Sequence, residues 1–199
     1  MCKDMSPLEK AIQFHGHICP GLLMGVRAAE LALEYLQVDL DQDDDLAAIV
    51  ETNFCGVDAI QAILGCTFGK GNLYFRDYGK IVYTIFSRKK QQAIRIAQRF
   101  EALDDPNTKR YLALRFQEQL TTEEEAELED LLALSFEWIM SQPLERLFHW
   151  RQVDVPELNK AEITPSVQCH KCGEGVLKNK AVLTDDSLLC PECRLSMEG

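Results

Sequence analysis

With 199 residues, the chain is long enough to bury a sizeable core and to carry a small appended module. Its formal charge of −11 argues against nucleic-acid binding, which needs Lys and Arg to neutralise phosphates, and against adhesion to an anionic membrane. No apolar run approaches the roughly 20 residues that span a bilayer, and Met1 to Pro7 leads into an amphipathic segment unlike a secretory leader, so the expected setting is cytoplasmic with no membrane.

Ser6-Pro7-Leu8-Glu9 has the form of a capping box with proline at the first helical position, predicting a helix from Pro7 to Phe14. The next segment, Phe14-His15-Gly16-His17-Ile18-Cys19-Pro20-Gly21, packs two imidazoles and a thiol into five positions. Pro20 suits the start of a second helix running to Gln37, with Leu22, Val26, Ala29 and Leu33 on one stripe. Cys19 is then the N-cap, where the helix dipole favours thiolate. Asp39 to Asp45 reads as a solvated acidic turn, since it lacks the Gly and terminal Glu of a calcium loop.

Leu46 to Val50 reads as a buried strand, followed by a helix from Val57 to Leu64 that Gly65 stops. This puts Cys55 at a second strand-to-helix corner, repeating the arrangement of Cys19. Leu73 to Phe75 and Ile81 to Phe86 read as two strands joined by the Asp77-Tyr78-Gly79 turn. Gln91 to Leu103 reads as an amphipathic helix with Ala93, Ile94, Ala97 and Phe100 on one side. Pro106 opens another helix. Thr122-Glu123-Glu124-Glu125 forms a capping box for a last long helix, whose stripe from Leu128 to Ile139 ends near Pro143. Pro156 and Pro165 then mark a linker. The expected architecture is α+β: a mixed helix and sheet core over 1–155, a linker over 156–166 and a zinc finger over 167–199.

The finger rests on spacing. Eight cysteines in a chain without an export signal, four of them paired as Cys169-x2-Cys172 and Cys190-x2-Cys193, read as metal ligands rather than disulfides. Four thiolates close a tetrahedron around structural zinc and leave no position for substrate. Pro191 starts a short terminal helix, giving an arrangement similar to a treble clef, and His170 is a bystander in the first knuckle. Lys171, Lys178, Lys180 and Arg194 are offset by Glu174, Asp185, Asp186, Glu192 and Glu198, so the module suits protein contact or folding rather than DNA.

The N-terminal set is open. His17, Cys19 and Cys55 supply three N/S ligands, with His15 a further ligand or a support for one. Three protein ligands leave a coordination position free, and their softness favours zinc or another late first-row transition metal. The plainer reading of each residue alone is a buried thiol or a hydrogen-bonded imidazole. Gly65-Cys66-Thr67-Phe68-Gly69-Lys70-Gly71-Asn72 fails as a phosphate-binding P-loop because its first glycine is one residue too close and Ser or Thr is missing after Lys70. It is either a simple turn or a flexible loop whose Lys70 amine approaches an anion.

Together, the Phe14–Gly21 segment with Gly25 and Arg27, then Asn53-x-Cys55-x-x-Asp58-Ala59-Ile60-Gln61, Gly65-Cys66-Thr67-x-Gly69-Lys70-Gly71-Asn72 and Asp77-x-Gly79-Lys80, resemble the FmdE-like family of formylmethanofuran dehydrogenase components. The finger resembles an accessory module of some members. The resemblance implies an α+β metal-binding core, often a homodimer, and a link to operons for molybdenum- or tungsten-dependent formylmethanofuran oxidation in methanogenesis. It marks His17, Cys19 and Cys55 as metal-site residues, with His15, Asp58, Cys66 and Lys70 beside the cleft. Two functions stand side by side. One is a metal-dependent protein of redox or one-carbon metabolism, in which His15, Asp58 or Lys70 has a catalytic role, the first two handling a proton. The other is a noncatalytic metal-handling or accessory protein that contacts a partner enzyme through the finger.

Overall fold

Ser6 accepts a hydrogen bond from the Glu9 N–H while the Glu9 carboxylate accepts from the Ser6 N–H, so the capping box closes and α1 runs Pro7–His15. Gly16, at φ +91°, turns the chain out of the helix. The computed structural model describes residues 5–38, 45–158, 164–184 and 187–197, so all of the acidic 39–45 segment but Asp45, and 159–163 of the linker, lie outside the described residues. The chain divides into two compact units, Met1–Asn159 and Lys160–Gly199.

The first unit is α+β. A five-stranded sheet has the order β2-β1-β3-β4-β5, built from β1 (Leu46–Val50), β2 (Leu73–Phe75), β3 (Val82–Ser87), β4 (Gln92–Gln98) and β5 (Phe148–Val153). β2 runs parallel to β1 and the other pairings are antiparallel. Helix α2 (Pro20–Leu36) is the centre of the core: Leu22, Leu23, Val26 and Ala29 are fully buried in one cluster with Tyr83, Ile85, Ile94 and Ile96 of the sheet. Burying such a side chain contributes roughly 1.5–3 kcal/mol. α3 (Gly56–Leu64), α4 (Pro106–Arg115), α5 (Thr122–Ser141) and the single turn α6 (Leu144–Leu147) complete the unit. Among the described residues no helix is long and apolar enough to cross a membrane.

Two contacts fix α2 in place. Gly25 meets Gly56 backbone to backbone: a Cβ on Gly25 would lie 2.5 Å from Gly56 Cα and closer still to its carbonyl oxygen, and one on Gly56 would strike the Tyr83 hydroxyl. One turn before Gly25 stands Gly21, where an added Cβ would touch both Cys55 and Cys19. The Arg27 guanidinium donates to the Met140 and Gln142 carbonyls at 3.2 and 2.8 Å, capping the end of α5.

Several expectations are corrected. Residues 91–103 do not form a helix. Ile94 and Ile96 enter the α2 cluster while Ala93 packs with Ala47, Ile49 and Phe86 on the opposite side, a period of two that makes this stretch β4. Phe100, which would have completed the helical stripe, is fully exposed. Leu73–Phe75 and the Ile81–Phe86 segment are not a hairpin, because β1 lies between them. β5 has no counterpart among the elements expected from the sequence. The capping box of α5 sits one residue earlier than expected, with Thr121 as N-cap and Glu124 as its partner. Cys55 lies in right-handed helical geometry with no side-chain capping bond, so it does not repeat the Cys19 arrangement.

The second unit has two short hairpins, β6 (Ser166–Gln168) with β7 (Gly175–Leu177) and β8 (Val182–Leu183) with β9 (Leu188–Leu189), then a one-turn helix α7 (Pro191–Leu195). Of its described residues, only Cys169 and Leu189 are buried.

Candidate metal centres

In the N-terminal turn, the end of α1 presents His15, and Gly16 reverses the chain so that His17 stacks beside it with ring centroids 4.5 Å apart. Two residues on, Cys19 is the extended N-cap of α2, its sulfur accepting from the Leu22 N–H at 3.4 Å. One ligand atom from each of His15, His17 and Cys19 lies within 4.8 Å of the others. Helix α3 contributes from across the turn. Asp58, in its first turn, accepts from His15 Nδ1 at 2.7 Å and is braced by Gln61. With the Nδ1 proton committed to the carboxylate, Nε2 carries the free lone pair, 3.8 Å from Cys19 Sγ. A tetrahedral ion holds a nitrogen and a sulfur ligand about 3.5 Å apart, so only a small closure brings these atoms to bonding distance.

Cys55 lies beside Cys19. Both thiols flank Gly21, whose added Cβ would sit 3.9 Å from Cys55 Sγ and 4.0 Å from Cys19 Sγ. Burial pushes the Cys19 thiol up to about 11, outweighing the Leu22 N–H that favours thiolate, and Cys55 acts in the same direction as burial. The helix terminus favours the Cys19 thiolate as expected, but burial outweighs it. A cation is what reverses that balance, because it favours the charged form of every thiol it touches.

Cys66 and Lys70 stand apart from this constellation along α3. Asp58 and Cys55 are at its start, whereas Gly65, Cys66 and the Lys70 loop follow its end, about 13 Å away for nine residues at 1.5 Å each. Cys66 is fully buried, its thiol pushed up to about 12 by that burial. The loop is organised internally: the Asn72 side chain accepts from the Thr67 N–H and donates to the Leu46 and Gly65 carbonyls.

Two tyrosines adjoin the thiols without any sequence signal for it. Tyr83 reads as an ordinary apolar strand position, yet its hydroxyl abuts Gly56, the residue after Cys55. Tyr111, in α4, is buried; burial raises its pKa and the neighbouring Cys19 and Cys55 thiols push it the same way. Only contact across the fold reveals them.

The second constellation gathers one sulfur each from Cys169, Cys172, Cys190 and Cys193, all within 4.8 Å of one another. The Cys172 and Cys190 sulfurs are 4.0 Å apart, against about 3.8 Å across a tetrahedral zinc tetrathiolate. Gly173, at φ +77°, lets the first knuckle turn back so that its N–H reaches the Cys169 carbonyl at 2.9 Å. Backbone N–H groups of Cys172 and Cys190 hold the Cys169 thiol down at about 6, while hydrogen bonding with Cys190 and burial push Cys193 up to about 12. Four crowded thiols cannot all ionise together unless a cation stands among them. Both donor sets, nitrogen with sulfur and sulfur alone, suit a late first-row ion and not magnesium or calcium.

The Asp58 contact gives a direct test of the first site. Asp58→Asn keeps the shape but removes the negative charge from His15, and the loss of such a support typically lowers metal affinity about 10–100-fold. Competition against a chromogenic chelator should show that drop with the finger's metal unaffected. Equal retention at both sites would remove Asp58 from the constellation.

A model of the FmdE family, described as "FmdE, Molybdenum formylmethanofuran dehydrogenase operon", matches residues 14–149, a span that includes the His turn and excludes the finger. A "Probable S-adenosyl-L-methionine-binding protein" from Archaeoglobus fulgidus is 35% identical over 84% of this chain, but the chain spans only about half of that relative (48%). Among solved structures, an FmdE-like protein of the tungsten formylmethanofuran dehydrogenase type from Syntrophus aciditrophicus shares the fold, with a TM-score of 0.62 at 23% identity over 94% of this chain and 89% of that one. With the family model covering well over half of its length, the chain belongs to the FmdE family.

Proposed function

We propose that the His turn holds a transition metal with an open coordination position, and that the protein serves redox or one-carbon metabolism beside a molybdenum- or tungsten-dependent formylmethanofuran dehydrogenase. The observation that carries this reading is the convergence of His15, His17 and Cys19, with His15 oriented by Asp58 from a different helix. His17, Cys19 and Cys55 are the ligands of the proposal, and His15 is either a fourth ligand or the group that steers a bound molecule. Zinc or a neighbouring late first-row ion fits these donors. Such an ion would supply Lewis-acid polarisation of a carbonyl or of water.

The chain's own groups do the rest. Asp58 keeps the His15 proton on Nδ1 and would stabilise the imidazolium formed if Nε2, when it holds no ion, accepts a proton from a bound molecule. His17 is exposed, which leaves the turn accessible to a molecule from solvent. In the proposed organisation a core over 1–155 and a structural zinc finger of treble-clef type over 167–199 are joined by 156–166, in a cytoplasmic homodimer.

A second reading has support of its own. Leu177, Leu183, Leu195 and Met197 are exposed on a unit of 40 residues, a surface suited to covering by another protein. An accessory or metal-handling protein that docks on a partner enzyme through the finger would use it.

Metal stoichiometry tests the first site under either reading. Purified wild type should carry two late first-row ions per chain, and His17→Ala one, with the fold intact by circular dichroism. An unchanged count in the variant would overturn the assignment. Turnover that needs the exchangeable ion marks an enzyme; release of that ion to a partner, much faster than finger zinc leaves, marks a carrier.

A further inference from the structure

On the sheet face opposite α2, where β3 begins and β4 ends, lies a cavity of about 490 Å³. Val82 and Ala97, paired across the two strands, form part of its wall, and Lys80, Arg95, Arg99 and Phe100 line it, with no carboxylate among the lining residues. That is unusual for a chain with 32 acidic residues against 21 basic ones. The partners of these cations leave them available. Arg95 uses Nη2 on Glu51 at 3.1 Å, Arg99 uses Nε on the Glu145 carbonyl, and Lys80 makes no ion pair with a described residue. Set against the Glu51 carboxylate, the three cations leave two positive charges at the cavity. Phe100 exposes its whole ring beside them, although nothing in the packing of the fold requires an aromatic side chain there.

We infer that this cavity binds a small organic dianion, a phosphate monoester attached to a flat apolar group. Arg95 and Arg99 offer forked donors that match phosphate oxygens, and Lys80 adds a mobile point charge. Val82 and Ala97 supply an apolar wall and Phe100 a stacking surface for the flat group. The volume falls in the range of small-molecule sites. Low-dielectric sheet on one side focuses the field of the cations, so the site attracts an anion despite the net negative charge of the chain. Nothing in this assignment depends on the metal at the His turn.

The test uses 1-naphthyl phosphate as probe, with 1-naphthol and inorganic phosphate as the two halves of its chemistry. Binding is followed by amide NMR shifts on the full, metallated protein. The probe should bind saturably, at least about tenfold tighter than either half, and move the amides of residues 80–82 and 95–100. Lys80→Gln and Phe100→Ala, both at the rim, should each weaken it by about tenfold. Equal binding of naphthol would reduce the cavity to a greasy patch, and equal binding of inorganic phosphate would remove the aromatic part; either overturns the proposal. So would shifts centred on residues 15–19, an unaffected Lys80→Gln variant, or no saturation at about 10 mM probe.

Discussion

Replacing Cys190 with serine should unfold the second unit while leaving the first intact. This unit has almost no apolar interior of its own: among its described residues only Cys169 and Leu189 are buried, and its hairpins are two or three residues long. A segment this small rarely folds without a cross-link or a metal. Binding of structural zinc to such modules is worth about 10–16 kcal/mol, far more than two short hairpins contribute. Cys190 matters in a second way, because its sulfur caps α7 by accepting from the Cys193 N–H and its own N–H donates to Cys169 Sγ at 3.2 Å. One substitution therefore removes a ligand, a helix cap and the tie between the knuckles. Amide signals of residues 164–197 should collapse to the narrow range of unfolded chain, and one metal per chain should disappear. Dispersed signals with full metal content in Cys190→Ser would sink the assignment.

Gly25→Ala should destabilise the first unit by about 3 kcal/mol or more, lowering its melting temperature by roughly 6–12 °C. Helix propensity alone points the other way, since alanine inside a helix is worth up to about 1 kcal/mol over glycine. Sterics win here because the added methyl carbon lands 2.5 Å from Gly56 Cα, on backbone that cannot rotate aside. The two helices must separate, and Gly56 carries Cys55 and Asp58 with it. The variant should therefore also hold the N-terminal metal more weakly than wild type. Gly69→Ala is the control, since an added Cβ there meets nothing within 4 Å. A Gly25→Ala protein that melts with the control would show that the crossing has room to spare.

The parts of the fold legible in the sequence are those governed by neighbours along the chain. Ser6 with Glu9, Pro20 after Cys19, and Gly65 after Leu64 each place a helix end to within a residue or two. The sheet is harder to read. Gln92 to Gln98 carries Ala93, Ile94, Ile96 and Ala97, which fits a helical stripe as well as an alternation, and only pairing with β3 and β5 decides between them. The same holds for Phe148 to Val153, whose inward Phe148 and Trp150 are recognisable only once β4 lies alongside. At the site, residue types and spacing mark the four paired cysteines and the His15, His17 and Cys19 turn, each of which the fold gathers, whereas Cys55, expected as a third ligand with His17 and Cys19, lies outside that gathered group. Nothing local says that His15 turns its Nδ1 to Asp58, 43 residues away, nor that Tyr83 and Tyr111 crowd the thiols. Those facts belong to helix crossings, which no short-range spacing encodes.

The ends of the sheet have their own consequence. At one border β2 offers only three residues, and at the other β5 buries Phe148, half-buries Trp150 and Val153 and exposes His149, Arg151 and Gln152. A short ledge on one side and a charged, hydrated one on the other discourage a neighbouring molecule from adding strand upon strand. Both margins of the sheet thus carry features that disfavour edge-to-edge association between copies.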